Sequence, residues 1–179
     1  MAKTKNAFEA TAKQFARIKG GAEVADANEA ALQLQEGDLA FIDPPYSGVH
    51  YSRFYHVLET ICLGQCGEVT GRGRYPAWEA RPRSKYSVAT EAKGALDDLL
   101  SKVASRRARA LLTFPDHACS NGLSGKSVRE VAGKHFRVSF QHVDSQFSTL
   151  GGTGDDRDDE AGRAARQKAK ELMLVLDPK

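Results

Sequence analysis

Leu39-Ala40-Phe41-Ile42-Asp43-Pro44-Pro45-Tyr46 is the stretch around which this 179-residue chain is organised. An apolar run that ends abruptly in an acid, two prolines and an aromatic predicts a buried strand with a functional carboxyl end, because proline cannot donate to a central ladder and holds the preceding residue extended. Such an end is stiff, and its polar groups point away from the sheet. It suits the binding of a flat, nitrogen-rich ring through an exocyclic amine. The Asp43 carboxylate can accept one N–H of the amine, the Pro44 carbonyl can accept the other, and the Tyr46 ring can stack on the ring face. With both hydrogens bonded, the nitrogen lone pair is turned out of conjugation and toward an electrophile. The plainer alternative is a Pro-Pro turn capping a core strand, with Asp43 and Tyr46 facing solvent.

Outward from that stretch, periodicity predicts alternating helices and strands. Residues 5–19 carry Phe8, Ala12, Phe15, Ala16 and Ile18 at helical spacing and close at Gly20-Gly21. Residues 22–26 read as a weak strand, and Asp26 at its end reads equally as the N-cap of a short helix from Ala27. After the central strand, a helix over 52–63 places Phe54, Val57, Leu58 and Ile61 on one face, expected to be buried. Tyr51 and Arg53 stand at its opening end, within reach of a bound base or its phosphate. A further helix over 90–104 leads to a second strong strand over 108–114, followed by the polar loop from Asp116 to Gly122. An apolar strand followed by a polar loop thus occurs twice, as in a parallel α/β sheet whose site lies across the carboxyl ends of adjacent strands. The loop with Asp116 is then expected to border the site. Asp116, His117 and Ser120 crowd on one loop without a strand-to-helix elbow, which argues against a hydrolytic triad. A short helix over 125–133 and strands over 136–143 and 170–177 complete the chain.

Composition sets the remaining bounds. The chain holds one domain's worth of residues, and no apolar run approaches the length of a membrane span. A basic N-terminus without an apolar core or cleavage site leads to the expectation of a cytoplasmic protein. The net charge of +3 is mild, but its distribution is informative. Arg72, Arg74, Arg81, Arg83 and Lys85 fall in a Gly- and Pro-interrupted segment, 64–87, expected as a flexible loop that contacts phosphates, or alternatively as a lid packing Trp78 on the protein. Acids gather instead between Asp155 and Glu160, within a long polar excursion over 144–169. The three cysteines show no repeated spacing, so no zinc site or other metal centre is expected. Cys62 reads as a core residue.

The Asp-Pro-Pro-Tyr tetrapeptide, its preceding strand and the following Ser47-to-Glu59 segment resemble the catalytic motif and helix of S-adenosylmethionine-dependent DNA methyltransferases, chiefly those that modify the N6 amine of adenine. The resemblance implies a Rossmann-like α/β methyltransferase sheet that ends in an antiparallel strand pair. It implies S-adenosylmethionine as cofactor, with Asp26 near the cofactor adenine and Asp43 beside the methyl, and double-stranded DNA as partner. Asp43, Pro44 and Tyr46 are then the catalytic residues. Pro45, Tyr51, Arg53, Arg81, Arg83 and Asp116 are assigned to the substrate, together with Ser148, whose Ser145-to-Gly152 segment resembles the family's polar loop near DNA. The family's tyrosine or serine after the second strand is replaced here by Phe114-Pro115-Asp116. Cytosine N4, RNA and protein glutamine stay open as other targets.

A complete enzyme of this kind also needs a glycine-rich loop after its first strand and an acid for the cofactor ribose, and neither stands here in the usual form. The sheet is therefore expected to be incomplete, with the strand at 22–26 as its open edge. A fragment of a longer product, one half of a split enzyme completed by a second polypeptide, and an inert DNA-binding or assembly module are the three explanations.

Overall fold

The computed structural model describes residues 20–145 and 169–179, apart from Gly73, Trp78, Ala80 and Pro82. The helix expected over 5–19 and the loop that carries Ser148 lie outside the described residues. The elements are α1 (Ala27–Ala30), β1 (Leu39–Ile42), α2 (Ser52–Leu63), β2 (Val69–Thr70), β3 (Tyr75–Pro76), α3 (Ala92–Ser105), β4 (Arg109–Pro115), α4 (Gly125–His135), β5 (Phe136–Ser145) and β6 (Ala169–Pro178).

The main sheet has the order β1-β4-β6-β5. β1 and β4 run parallel, with Leu39 opposite Arg109 and Ile42 opposite Leu112. β6 lies antiparallel between β4 and β5. The mixed α/β sheet closed by an antiparallel pair is as expected, and it follows from the chemistry of the strands. Leu112 and Phe114 of β4 and Leu172, Leu174 and Leu176 of β6 alternate onto one buried face. Helix α3 covers that face with Ala95, Leu96, Leu99, Leu100 and Val103, all buried at helical spacing. Helix α4 adds Val128, Val131 and Ala132, and its start is fixed by a reciprocal Ser124–Ser127 capping box. Gly125 has no side chain for a packing reason: a Cβ there would collide with Leu172 and with the Asp116 side chain.

Three expectations are corrected. Residues 22–26 form no strand, and Val24 is fully exposed. Asp26 takes the capping role instead, its Oδ1 accepting from the backbone N–H of Asn28 at 2.9 Å and of Glu29 at 3.2 Å. The edge of the sheet on this side, opposite the β5 edge, is therefore β1 itself among the described residues, and Leu39 and Phe41 on one of its faces are each 67% exposed. Helix α2 is amphipathic as read, yet Val57, Leu58 and Ile61 face outward uncovered among the described residues. Cys62 on the same helix is exposed rather than in the core. Residues 64–87 hold the antiparallel β2–β3 hairpin, with Val69 opposite Pro76, and a 3-10 turn at Lys85–Ser87.

Candidate active site

Because β1 and β4 are parallel, their carboxyl ends lie side by side, and the loops that leave them meet. Asp43 follows β1 directly and is exposed, with Pro44 buried behind it. The hydroxyl of Thr113, a buried residue of β4, donates to Asp43 Oδ1 at 3.0 Å. One carboxylate oxygen is thereby anchored to the neighbouring strand, and the carboxylate keeps further lone pairs for a ligand amine. Tyr46 is 38% exposed. Its phenol is pushed above its usual range by burial first and then by the Asp43 carboxylate. The phenol of Tyr51 rises further, to about 12, through burial first and then the neighbouring Tyr46. Both rings are thus neutral near pH 7, and Tyr51 meets Tyr55 edge-on at 5.5 Å between centroids.

The loop after β4 clamps the loop after β1. Ser120 Oγ accepts from the Gly48 N–H at 2.9 Å, and a Cβ on Gly48 would come within 3.1 Å of the Ser120 carbonyl oxygen, so the two backbones approach closely. Fully buried Asn121 donates from Nδ2 to the Pro45 carbonyl at 2.7 Å and to the Tyr86 carbonyl at 2.8 Å. The His50 Nδ1 accepts from the Ser84 N–H at 3.3 Å, a second tie between this loop and the chain after the hairpin. Asp116 is held elsewhere: its Oδ2 lies 2.8 Å from His142 Nε2 on β5, so its loop borders the site while its carboxylate is engaged with the far strand.

A cleft of about 1040 Å³ runs along the free edge of β1. Its lining includes Asp26 and Asn28, Ala40 to Pro45, and Arg83, Lys85 and Tyr86. Asp26, Asp43 and Arg83 are therefore brought to one cavity. The wall that bears Asp26 is braced by a buried network: Asn28 Nδ2 donates to the Ala95 carbonyl at 2.9 Å and to Asp98 at 2.7 Å, while the Tyr86 hydroxyl donates to Asn28 Oδ1 at 2.6 Å. Burial foremost, with Asp26 and Asp98 adding to it, raises the Tyr86 phenol well above its usual range.

Arg53 and Arg81 lie outside this cavity's lining. Their guanidinium carbons stand 4.8 and 5.9 Å from the centroid of Tyr75 in β3. Arg81 Nε also donates to the Pro76 carbonyl at 2.7 Å, and its Nη2 to Thr70 at 3.3 Å, which ties the hairpin together. Thr113 and Asn121 were not among the residues singled out by chemistry in the sequence, and Ser120 was weighed there only as a member of a rejected triad. Their signals there are slight: a hydroxyl inside an apolar strand, and a Ser-Asn-Gly turn after it.

The parallel strand ends bring an anchored acid and two prolines to one cleft, and Tyr46 follows them directly in the chain. Residues 2–109, more than half of the chain, match the family model described as D12 class N6 adenine-specific DNA methyltransferase, and the chain belongs to that family. It is 40% identical over 79 residues to the type II methyltransferase M.FokI of Planomicrobium okeanokoites, a match covering 42% of this chain and 12% of that protein. It is also 40% identical over 68 residues to the modification methylase LlaI of Lactococcus lactis subsp. lactis, covering 37% of this chain and 10% of the relative. The matched part is thus about a tenth of the length of these curated relatives. No solved structure matches the chain.

Proposed function

We propose that this chain carries the amine-binding half of an enzyme that methylates N6 of adenine in double-stranded DNA, with S-adenosylmethionine as donor. The observation that carries the reading is the Asp43-Pro44-Pro45-Tyr46 loop, pinned by Thr113 and Asn121 at the carboxyl end of the edge strand. A flipped adenine stacks on Tyr46, and its amine donates to Asp43 and to the Pro44 carbonyl, which directs the nitrogen lone pair outward. The cofactor supplies an electrophilic methyl group when bound. As the N–C bond formed, the methyl–sulfur bond would break with its electron pair kept by the sulfur, and the excess amine proton would pass to Asp43 or to water, with no covalent enzyme adduct. Arg53, Arg83 and Lys85 are assigned to DNA phosphates, consistent with their exposure.

The cleft fits the cofactor in part. Asp26 offers a carboxylate toward the adenine end at the mouth that Asp43 shares, whereas among the described residues no glycine-rich loop follows a strand to receive the methionine end. The edge of β1 along Ala40 to Ile42, without a ladder partner among the described residues, supports a division of the cleft, in which an added strand from another segment or polypeptide pairs with that edge and brings the missing loop. Residues 1–179 alone then bind the cofactor weakly and leave DNA unmethylated. Adding the polypeptide that supplies this strand restores both. Calorimetry with S-adenosylmethionine and transfer of a labelled methyl group, each with and without that polypeptide, test the reading. Tight cofactor binding by the isolated chain overturns the division of the cleft, and cofactor binding restored without methyl transfer favours an inert module.

A further inference from the structure

We infer that Asn121 is a positioning residue that sets the direction of Tyr46 by fixing the peptide plane between Pro45 and Tyr46. The inference rests on the proposed role of Tyr46 as the stacking platform, and its argument is geometric. In Pro44 and Pro45 the ring already fixes φ, so the remaining backbone freedom of the pair is in ψ. The ψ of Pro45 sets where its own carbonyl points and, through the planar peptide, where the Tyr46 Cα is placed. Asn121 Nδ2 grips that carbonyl at 2.7 Å.

The grip is itself immobile. Asn121 is fully buried, its second amide hydrogen goes to the Tyr86 carbonyl at 2.8 Å, and its Oδ1 accepts from the Leu123 N–H at 3.3 Å. Its turn is closed by the Cys119 N–H donating to the Leu123 carbonyl at 2.8 Å and the Gly122 N–H to the Cys119 carbonyl at 3.1 Å. Gly122, at φ +82°, lets this turn lie against Ala89, where a Cβ would meet the Ala89 carbonyl oxygen at 3.1 Å. The amide thus reads out three backbone segments at once and conveys their position to one peptide plane. Removing it leaves two carbonyls without this donor and releases the rotation that aims Tyr46.

Two measurements test this. In residues 1–179 with ring-labelled tyrosine, the Tyr46 signal, assigned with Tyr46→Phe, titrates above the ordinary tyrosine value of about 10. In Asn121→Ala it moves back toward that value while the circular dichroism of the fold is kept. Asn121→Ser, whose short hydroxyl cannot span both carbonyls, is expected to do the same. In the completed enzyme, Asn121→Ala lowers kcat by about 10–100-fold, as misplacement of a reacting group does. In a Tyr46→Ala background the same substitution changes kcat less than about twofold, since there is no ring left to aim. An unchanged Tyr46 titration, or equal losses in the two backgrounds, overturns the inference and leaves the proposed function standing. Unfolding of both Asn121 variants also overturns it, by assigning the residue to fold stability alone. Full activity of Tyr46→Ala would instead remove the proposed role of the loop itself.

Discussion

Removing the Thr113 hydroxyl separates the anchoring of Asp43 from its chemistry. Thr113→Val keeps the side-chain shape at a site only 9% exposed and deletes the hydroxyl that donates to Asp43 Oδ1 at 3.0 Å. A hydrogen bond to a charged group contributes roughly 1.5–3 kcal/mol. If about half of that is used to hold the carboxylate where the amine meets it, kcat falls about 4- to 12-fold at about 1.4 kcal/mol per decade. Asp43→Ala deletes the acceptor and is expected to lower kcat by about 10²-fold or more, the scale of one positioned polar group lost from the transition state. The two substitutions share one interaction, so the double variant should be no slower than Asp43→Ala. Single-turnover methylation of a DNA duplex by the completed enzyme reads all three. A Thr113→Val enzyme with unaltered turnover, or a double variant slower by the product of the two losses, would refute the coupling, and a near-normal Asp43→Ala enzyme would refute the site.

Tyr46→Phe should keep most activity and Tyr46→Ala lose it, because stacking needs the ring and contributes about 1–3 kcal/mol per base; equal rates in a methylation assay would argue for a plain turn residue. Arg83→Ala and Lys85→Ala should each reduce the salt dependence of DNA binding by about one unit of slope, whereas Arg81→Ala, which breaks the bonds to Pro76 and Thr70, should mainly loosen the hairpin; titrations at several salt concentrations distinguish them. Asn28→Ala removes bonds to Ala95, Asp98 and Tyr86 and should lower urea stability by about 2–4 kcal/mol, with a loss under about 0.5 kcal/mol counting against the network. Asp97 bridges α3 to Lys134 and His135 of α4 at 2.7 Å each, and those hydrogen bonds hold its carboxyl below the usual carboxylate range. A depressed folded-state pKa contributes stability above the ordinary value of about 3.9 and loses it as pH falls through the folded value, so Asp97→Asn should flatten acid unfolding below about pH 4.

Strong patterns in the sequence translated directly into structure. β4 and β6 carry apolar runs at 110–112 and 172–176, and α3 repeats its apolar positions at helical spacing over several turns, so burial follows from the pattern alone. The reading failed where the pattern was short or where a partner was assumed. Residues 22–26 offer one valine in a five-residue window, and Asp26 finds more for its carboxylate as a cap than as the end of a strand. Helix α2 is amphipathic, but periodicity reports that a face is apolar and never what covers it, so Val57, Ile61 and Cys62 were placed inside when they lie outside. The β2–β3 hairpin was not read from the sequence, because its strands are two residues long and stand among glycines and prolines that read as a loop. At the site, Asp43 and Tyr46 announced themselves by type. Thr113 and Asn121 act through position, and only the parallel register of β1 with β4 brings them to the loop.

The same register explains why the site stands at an edge. A strand that ends in Pro44-Pro45 cannot extend its ladder past Ile42, so its carboxyl end must open into a loop whether or not a further strand lies beside it. β4 and the loop after it supply what that loop needs from one side: a hydroxyl for Asp43 from the strand, and from the loop an amide for Pro45 and a hydroxyl for the Gly48 N–H. The other side of β1 has no ladder partner among the described residues, and Leu39 and Phe41 beside it are each 67% exposed. Leu39 and Phe41 share one face of β1, and covering a Leu or Phe fully contributes roughly 1.5–3 kcal/mol, so completing the burial of the pair adds on the order of 2–4 kcal/mol to any association that also covers that face. The Asp43-to-Tyr46 loop is therefore organised by β4 and the loop after it, independently of any strand added at the free edge of β1. Base recognition and donor binding would on this arrangement be separable: substitutions at Thr113 and Asn121 disturb the first, and polar substitutions at Leu39 and Phe41 disturb the second.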